Sequence, residues 1–201
     1  MFHIVFQERF VRGRHIDRSR FPHCHHRRRG AEKKLRRMNV IVYIHGKGGS
    51  AAEVEHYKPL FPACDVIGIE YKSSTPWDAG KELHEIISGL KDNYDRIILI
   101  ANSIGAYFSM NADIESFVAH AYFISPIVDM AKLIADMMDR AGVTELELQE
   151  QGIIHTDFGE DLSWEYLCYV REHPVCWSVP TDILYGSKDN LTSIDTMTAF
   201  A

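Results

Sequence analysis

A serine lies at residue 103 between an apolar run and a helix-like stretch, within the sequence IILIANSIGAYFSM (97–110). Small residues stand two positions away on either side, Ala101 and Gly105. A sharp strand-to-helix turn can project a nucleophilic serine from a sheet, and such a turn needs small neighbours at these positions. The segment therefore predicts nucleophilic chemistry at Ser103. The helix expected from Ile104 would aim its first N–H groups, including that of Ile104, at an oxyanion.

A second glycine-rich segment, HGKGG (45–49), follows the apolar run VIVYI (40–44). Glycines there let the backbone come close to a bound carbonyl oxygen. The amide of Lys47 or Gly48 would then pair with that of Ile104 to form an oxyanion hole. The segment lacks the spacing of a nucleotide-binding phosphate loop, G-x-x-x-x-G-K-[ST]. We therefore expect no nucleotide cofactor, and no metal.

A carboxylate that could orient a catalytic histidine occurs in YGSKD (185–189), where Asp189 follows the last apolar run. A rival is Asp129, in SPIVD (125–129) after the preceding run. We favour Asp189 because its loop lies nearer the expected position of the histidine, and Asp129 stays open as the alternative.

Short apolar runs alternate with amphipathic stretches from Met38 onwards. This alternation predicts an α/β fold with a mostly parallel sheet of about five strands and helices on both faces. The expected strands are 40–46, 65–71, 96–102, 117–125 and 181–186, and the expected helices between them include 50–60, 75–93 and 104–111. The alternation lapses over residues 126–179, where a helical cap over the sheet edge and ordinary covering helices are both open interpretations.

The chain resembles the α/β-hydrolase family through HGKGG, ANSIG and YGSKD, each at the carboxyl end of an expected strand and in the family's order. The esterase, lipase-like and peptidase-like members are the most similar. The resemblance implies Ser103 as nucleophile, Ile104 and Lys47 as oxyanion donors, and Asp189 as the triad acid. It implies a small ester, thioester or peptide-like acyl substrate. Ala101 departs from the family pattern, which has glycine there.

The general base is missing from its expected place. The triad order in this fold is serine, acid, histidine, and the twelve residues after Asp189 include no histidine. We therefore expect a C-terminally truncated sequence that lacks a last strand, a histidine-bearing loop and a last helix. The chain as given would be nearly inactive, because a serine without a base is a poor nucleophile. A substitute from the cap region, His155 or His173, is the alternative.

Residues 1–37 differ sharply in charge from the rest of the chain. They hold 12 of the 22 basic residues and three of the 28 acidic ones, which gives a net charge of +9 against −15 for residues 38–201. We expect a basic leader, disordered or mis-translated from upstream sequence, before a domain at 38–201. An organelle transit peptide and a nucleic-acid-binding tail are the alternatives. A metal site at His23, Cys24, His25 and His26 is disfavoured without a folded scaffold.

The composition, 46% hydrophobic and 25% charged, is that of an ordinary globular protein. No apolar run reaches the length of a membrane span, and the four cysteines show no CxxC spacing, which favours a cytoplasmic protein with reduced thiols. We expect a serine hydrolase with no nucleic-acid partner. An acyltransferase that uses the same serine and a non-catalytic binding protein of this fold are the alternatives. Oligomeric state has no signal in the sequence.

Overall fold

The structure, a computed structural model, describes residues 4–7, 38–186, 189 and 191–201. Within these residues, strands and α-helices alternate along most of the chain. The strands are β1 Ile4–Gln7, β2 Met38–Ile44, β3 Asp65–Ile69, β4 Tyr94–Asn102, β5 Val118–Ile124, β6 Ile153–His155, β7 Asp161–Ser163 and β8 Thr181–Gly186. The α-helices are α1 Pro76–Leu90, α2 Ile104–Met110, α3 Met130–Ala141, α4 Glu145–Gln151, α5 Trp164–Glu172 and α6 Ile194–Phe200.

Six strands form the main sheet in the order β1-β8-β5-β4-β2-β3. The five strands from β3 to β8 in this order run parallel to their neighbours, and β1 joins β8 antiparallel. Parallel neighbours need crossover connections, which place helices on the faces of the sheet. The predicted fold class, a mostly parallel sheet of about five strands with helices, is confirmed.

Strand β2 shows why its sequence is a continuous apolar run. Val40, Val42 and Ile44 belong to the larger core, on the face covered by α1, α2 and α3. Ile41 and Tyr43 belong to a smaller core on the opposite face, together with Val54 of the following helical turn. All five strand residues are at most 1% exposed. Successive side chains of a strand point to opposite faces, so a strand covered on both faces has no polar positions.

The predicted helix at 50–60 is two short 3₁₀ helices instead, Ala51–His56 and Lys58–Leu60. Pro59 lacks a backbone N–H and cannot continue an α-helical hydrogen-bond ladder. The first turn also packs tightly on β3, because a Cβ built on Gly68 would lie 2.1 Å from the carbonyl oxygen of Ala51. Close packing and the proline thus replace one amphipathic helix by two short turns.

Strand β1 falls within the segment that the charge pattern assigns to a leader. Its backbone pairs with β8, and Ile4 lies opposite Gly186. This strand was not predicted from the sequence. The remainder of the leader, residues 1–3 and 8–37 with the four possible metal ligands at 23–26, lies outside the described residues, so its disorder or mis-translation stays a prediction.

Residues 126–179 connect β5 to β8 and contain three helices, together with a hairpin of β6 and β7 that was not predicted from the sequence. Local caps fix the helix starts. Asp129 accepts a hydrogen bond from the Lys132 amide, and Thr144 forms a capping box with Glu147. Among the described residues, none of the helices is both long and apolar enough to span a membrane.

The close contact at Gly68 gives a test of the packing on β3. We expect Gly68→Ala to lower the free energy of unfolding by about 1–3 kcal/mol, because the added methyl group overlaps a backbone oxygen. Gly89 is the matched control, since it lies in α1 and a Cβ built on it would meet nothing within 4 Å. Gly89→Ala should raise that free energy by about 0.5–1 kcal/mol. Urea unfolding measures both, and equal effects would contradict the packing described.

Candidate active site

Ser103 occupies a strained backbone conformation between β4 and α2, with φ 53° and ψ −121°. The surrounding hydrogen bonds hold the turn in place. The Ser103 amide donates to the Ile124 carbonyl at 2.9 Å, and the Ser103 carbonyl accepts from the amides of Ala106 at 3.1 Å and Ile127 at 3.3 Å. Such a conformation costs about 1–3 kcal/mol for a residue with a side chain and concentrates at functional sites.

Close packing explains why the residues two positions away from Ser103 are small. A Cβ built on Gly105 would lie 2.3 Å from the carbonyl oxygen of His45 and 3.0 Å from that of Ile44. The first turn of α2 therefore rests directly on the end of β2. Ala101, on the other side of the serine, is fully buried. Position 105 therefore has no room for a side chain unless the turn moves.

The HGKGG loop lies directly beside this turn. The Gly49 amide donates to the Gly46 carbonyl at 3.1 Å, and Gly48 at the third position of the turn has φ 72°. This is the pattern of a type II turn, which favours glycine at that position. A Cβ built on Gly46 would be 3.2 Å from the Cβ of Ser103. The two motifs thus meet at the carboxyl edge of the sheet.

Three backbone amides near Ser103 are of interest as oxyanion donors: Lys47, Gly48 and Ile104. In the described part of the chain, none of them donates a hydrogen bond to a backbone or side-chain acceptor. Ile104 is the first residue of α2, where an amide has no partner within the helix. These amides are therefore available to a ligand beside the serine.

The His45 ring is held in the loop by a hydrogen bond and by stacking. Its side chain is buried, and its Nδ1 donates to the carbonyl of Gly46 at 2.8 Å, because a carbonyl can only accept. The ring stacks on Tyr71 with centroids 4.4 Å apart, and the Tyr71 hydroxyl donates to the His45 carbonyl at 2.8 Å. Burial raises the pKa of Tyr71 to about 12, so this phenol remains a neutral donor.

Two carboxylates that contact the HGKGG loop, those of Glu53 and Glu160, were not predicted from the sequence. The Tyr43 hydroxyl donates to the Glu53 carboxylate, and a Cβ built on Gly49 would meet Glu53 Oε1 at 2.8 Å. Glu53 therefore packs under the loop. Glu160, from the turn between β6 and β7, pairs with the Lys47 ammonium. No local motif marks either glutamate, since each meets the loop only through the tertiary fold.

Asp189 lies on the loop after β8. Its Oδ1 accepts hydrogen bonds from the amides of Leu191 at 2.9 Å and Thr192 at 3.2 Å. The Thr192 hydroxyl donates to the Pro126 carbonyl at 3.3 Å, which joins this loop to the one after β5. Since Ile127 of that second loop contacts Ser103, Asp189 belongs to the same edge of the sheet as the serine.

Asp129, the alternative to Asp189 as the triad acid, caps a helix. Asp129 is exposed, and its Oδ1 accepts from the Lys132 amide at 2.8 Å as the N-cap of α3. Such a cap contributes about 1 kcal/mol to helix stability.

No histidine side chain hydrogen-bonds to the Ser103 hydroxyl among the residues that the structure describes. In the cap region, His155 Nδ1 contacts Asp161 Oδ1 at 2.7 Å, and His173 Nδ1 lies 2.9 Å from the Tyr169 carbonyl. His120 pairs with Asp182 on the sheet, and His84 contacts the Ala112 carbonyl. The structure leaves the general base unassigned, and the same residues contain no cluster of three or more potential metal ligands.

No protein-family model matches the chain, and no curated protein matches it in sequence. Solved structures do match. Est1E from Butyrivibrio proteoclasticus is 15% identical with a TM-score of 0.63, over 82% of this chain and 73% of that one. Alpha/beta hydrolase domain-containing protein 10 from mouse is 16% identical with a TM-score of 0.59, over 79% and 73%. The chain has the α/β-hydrolase fold.

A third α/β-hydrolase-like match is an esterase from Pyrococcus furiosus, 17% identical with a TM-score of 0.54, over 82% of this chain and 67% of that one. The resemblance carried by HGKGG, ANSIG and YGSKD is thus confirmed for the fold. At these identities the likeness does not extend to a substrate or to site residues.

The strain at Ser103 can be measured by comparing two substitutions. We expect Ser103→Gly to be more stable than Ser103→Ala by about 1 kcal/mol, because glycine adopts this φ and ψ without a steric penalty. Ser88, inside α1, is the matched control. There the order should reverse, with Ser88→Ala more stable than Ser88→Gly by about 1 kcal/mol. Chemical denaturation of the four variants tests this, and the same order at both sites would show that Ser103 is not strained.

Proposed function

We propose that the chain is a serine hydrolase that cleaves a small ester, thioester or peptide-like acyl substrate through an acyl-enzyme on Ser103. The observation that carries the proposal is the positive φ of Ser103, held at a sheet edge beside a glycine-rich loop. The Lys47 and Gly48 amides of that loop have no acceptor among the described residues. A strained residue at a strand-to-helix turn is how this fold presents its nucleophile. The esterase among the similar structures supports the same class of reaction.

The proposed reaction needs a donor pair for the oxyanion. As Ser103 Oγ bonds to the acyl carbon, the carbonyl oxygen becomes an oxyanion, and the Ile104 amide stabilises it from one side. The amide of Lys47 or Gly48 does so from the other. Donors that are fixed before the reaction stabilise the developing charge without reorganisation, and one such hydrogen bond contributes about 3–4 kcal/mol in serine proteases.

Asp189 is the proposed triad acid. One carboxylate oxygen is used by the amides of Leu191 and Thr192, which fixes the side chain, and the described residues give Oδ2 no hydrogen-bond donor. That oxygen is available to hold a histidine Nδ1–H. The base would take the Ser103 proton and return it to the leaving group, after which water releases the acyl group.

The two alternative functions, a binding protein and an acyltransferase, would use the same site with different chemistry. A binding protein of this fold would have no base at Ser103, and the two cap-region histidines are indeed hydrogen-bonded elsewhere. An acyltransferase would pass the acyl group to an alcohol or thiol instead of water. Product analysis with added acceptors separates transfer from hydrolysis.

A fluorophosphonate probe tests the nucleophile. We expect covalent labelling of the full-length protein on the peptide that contains Ser103, and its loss in Ser103→Ala. Ser125 is the matched control, since it also has positive φ and ends a neighbouring strand. Ser125→Ala should label like the unmodified protein. Absence of labelling in the folded full-length protein, or labelling that survives Ser103→Ala, would exclude the hydrolase and favour the binding protein.

The acid is tested by two asparagine substitutions. Asp189→Asn keeps an oxygen that can accept from the Leu191 and Thr192 amides, so the loop should hold. In the full-length protein, we expect the rate of p-nitrophenyl acetate hydrolysis to fall by about 100-fold or more, because an amide cannot hold the histidine in its active tautomer. Asp129→Asn should lower the rate far less. A larger loss with Asp129→Asn would move the acid to the loop after β5.

A further inference from the structure

The proposed oxyanion donors lie on two segments that are far apart in sequence. The Ile104 amide begins α2, and the amides of Lys47 and Gly48 belong to the HGKGG loop. A hydrogen bond weakens steeply as its donor moves out of line or out of range. The two segments must therefore be held at a fixed separation if both amides are to contact one oxyanion.

The carbonyl oxygen of His45 is a point where the two segments touch. A Cβ built on Gly105, in the first turn of α2, would lie 2.3 Å from this oxygen. The next residue of the loop, Gly46, packs beside the serine itself, since a Cβ built on it would lie 3.2 Å from the Cβ of Ser103. The position of the His45 carbonyl therefore sets how closely the loop approaches the nucleophile.

The hydroxyl of Tyr71 holds that carbonyl from a third segment of the chain. Tyr71 follows β3, and its hydroxyl donates to the His45 oxygen at 2.8 Å. Tyr71 is only 7% exposed, so water competes little for this hydrogen bond. Among the described residues, no other side chain donates to the same oxygen. Removal of the hydroxyl would leave the carbonyl without this anchor.

The Tyr71 ring also contacts both segments. It stacks on the His45 ring with centroids 4.4 Å apart and an angle of 14° between the planes. It meets Phe108 of α2 edge-to-face, with centroids 5.8 Å apart and an angle of 87°. Phe108 is fully enclosed and lies in the helix that begins at Ile104. One residue thus contacts the loop and the helix of the nucleophile at once.

We infer that Tyr71 is a positioning residue for the oxyanion hole, which acts through the His45 carbonyl to fix the separation between the Ile104 amide and the loop amides. The inference rests on the proposed function, since it concerns the donors of the same site. The Tyr71 hydroxyl is used by the His45 oxygen and contacts no reacting atom. Its effect therefore belongs to the transition state, where the oxyanion forms, and not to the binding of an uncharged substrate.

Tyr71→Phe tests the hydroxyl, because it removes one oxygen and keeps the ring contacts that bury the side chain. In the full-length protein, we expect kcat for p-nitrophenyl acetate to fall by about tenfold or more, since displaced donors stabilise the oxyanion less. KM should change by less than about twofold. Tyr94→Phe is the matched control. Its hydroxyl donates to the Asp65 carboxylate at 2.9 Å, at the opposite end of the sheet, so both constants should stay unchanged.

A transition-state analogue and a rescue variant separate positioning from a general loosening of the fold. A trifluoromethyl ketone adds to the serine, and the oxyanion of this adduct occupies the oxyanion hole. Its Ki should rise in Tyr71→Phe by the factor by which kcat falls. Incorporation of p-aminophenylalanine at position 71 restores an N–H donor and should recover most of the lost rate. An unchanged kcat in folded Tyr71→Phe, a change in KM alone, or a loss that the restored donor does not recover would overturn the inference.

Hydrogen exchange distinguishes failure of the inference from failure of the proposed function. If the full-length protein hydrolyses no ester and is not labelled at the serine, the proposed function fails, and exchange still tests the positioning. The Gly49 amide reports on the loop and the Ala106 amide on α2, since each donates to a carbonyl of its own segment at 3.1 Å. Protection of both should fall by about tenfold in Tyr71→Phe and not in Tyr94→Phe. Protection kept at either amide in Tyr71→Phe would overturn the positioning role.

Discussion

The close contact between residue 105 and the end of β2 determines the geometry of the site. With glycine there, the first turn of α2 rests on the carbonyl oxygens of Ile44 and His45. A methyl group in that position would overlap the His45 oxygen at 2.3 Å, and α2 would have to move away. Because Ser103 forms the turn into α2, its strained conformation and its distance from the HGKGG loop both depend on this contact.

The core of the sheet could be predicted because its strands are buried on both faces. The runs VIVYI in β2 and IILIA in β4 are continuous and apolar, so an alternating pattern is not needed to recognise them. The 3₁₀ turns at Ala51–Leu60 could not be predicted from amphipathicity, since their form follows from Pro59 and from contact with β3. The hairpin of β6 and β7 is only three residues on each side, too short for a periodic signal.

The HGKGG and ANSIG motifs could be recognised in the sequence because glycine and serine at these fixed spacings have few other structural roles at strand ends. His45 illustrates the limit, since only its contact with the Gly46 carbonyl shows how the ring is held in the loop.

The contacts of the segment over the sheet edge differ in strength. Tyr166 and Tyr169 of α5 pack against Trp77 with ring centroids 5.9 and 5.0 Å apart, and Leu167 is buried beneath them. The hairpin, by contrast, contacts the glycine loop through the exposed pair of Lys47 and Glu160, and such pairs contribute at most about 1 kcal/mol. Strand β7 also buries Leu162 in the main core, so the body of the hairpin stays seated together with α5. Rising salt would therefore loosen only the contact between the tip of the hairpin and the glycine loop, and the rest of the segment would stay in place.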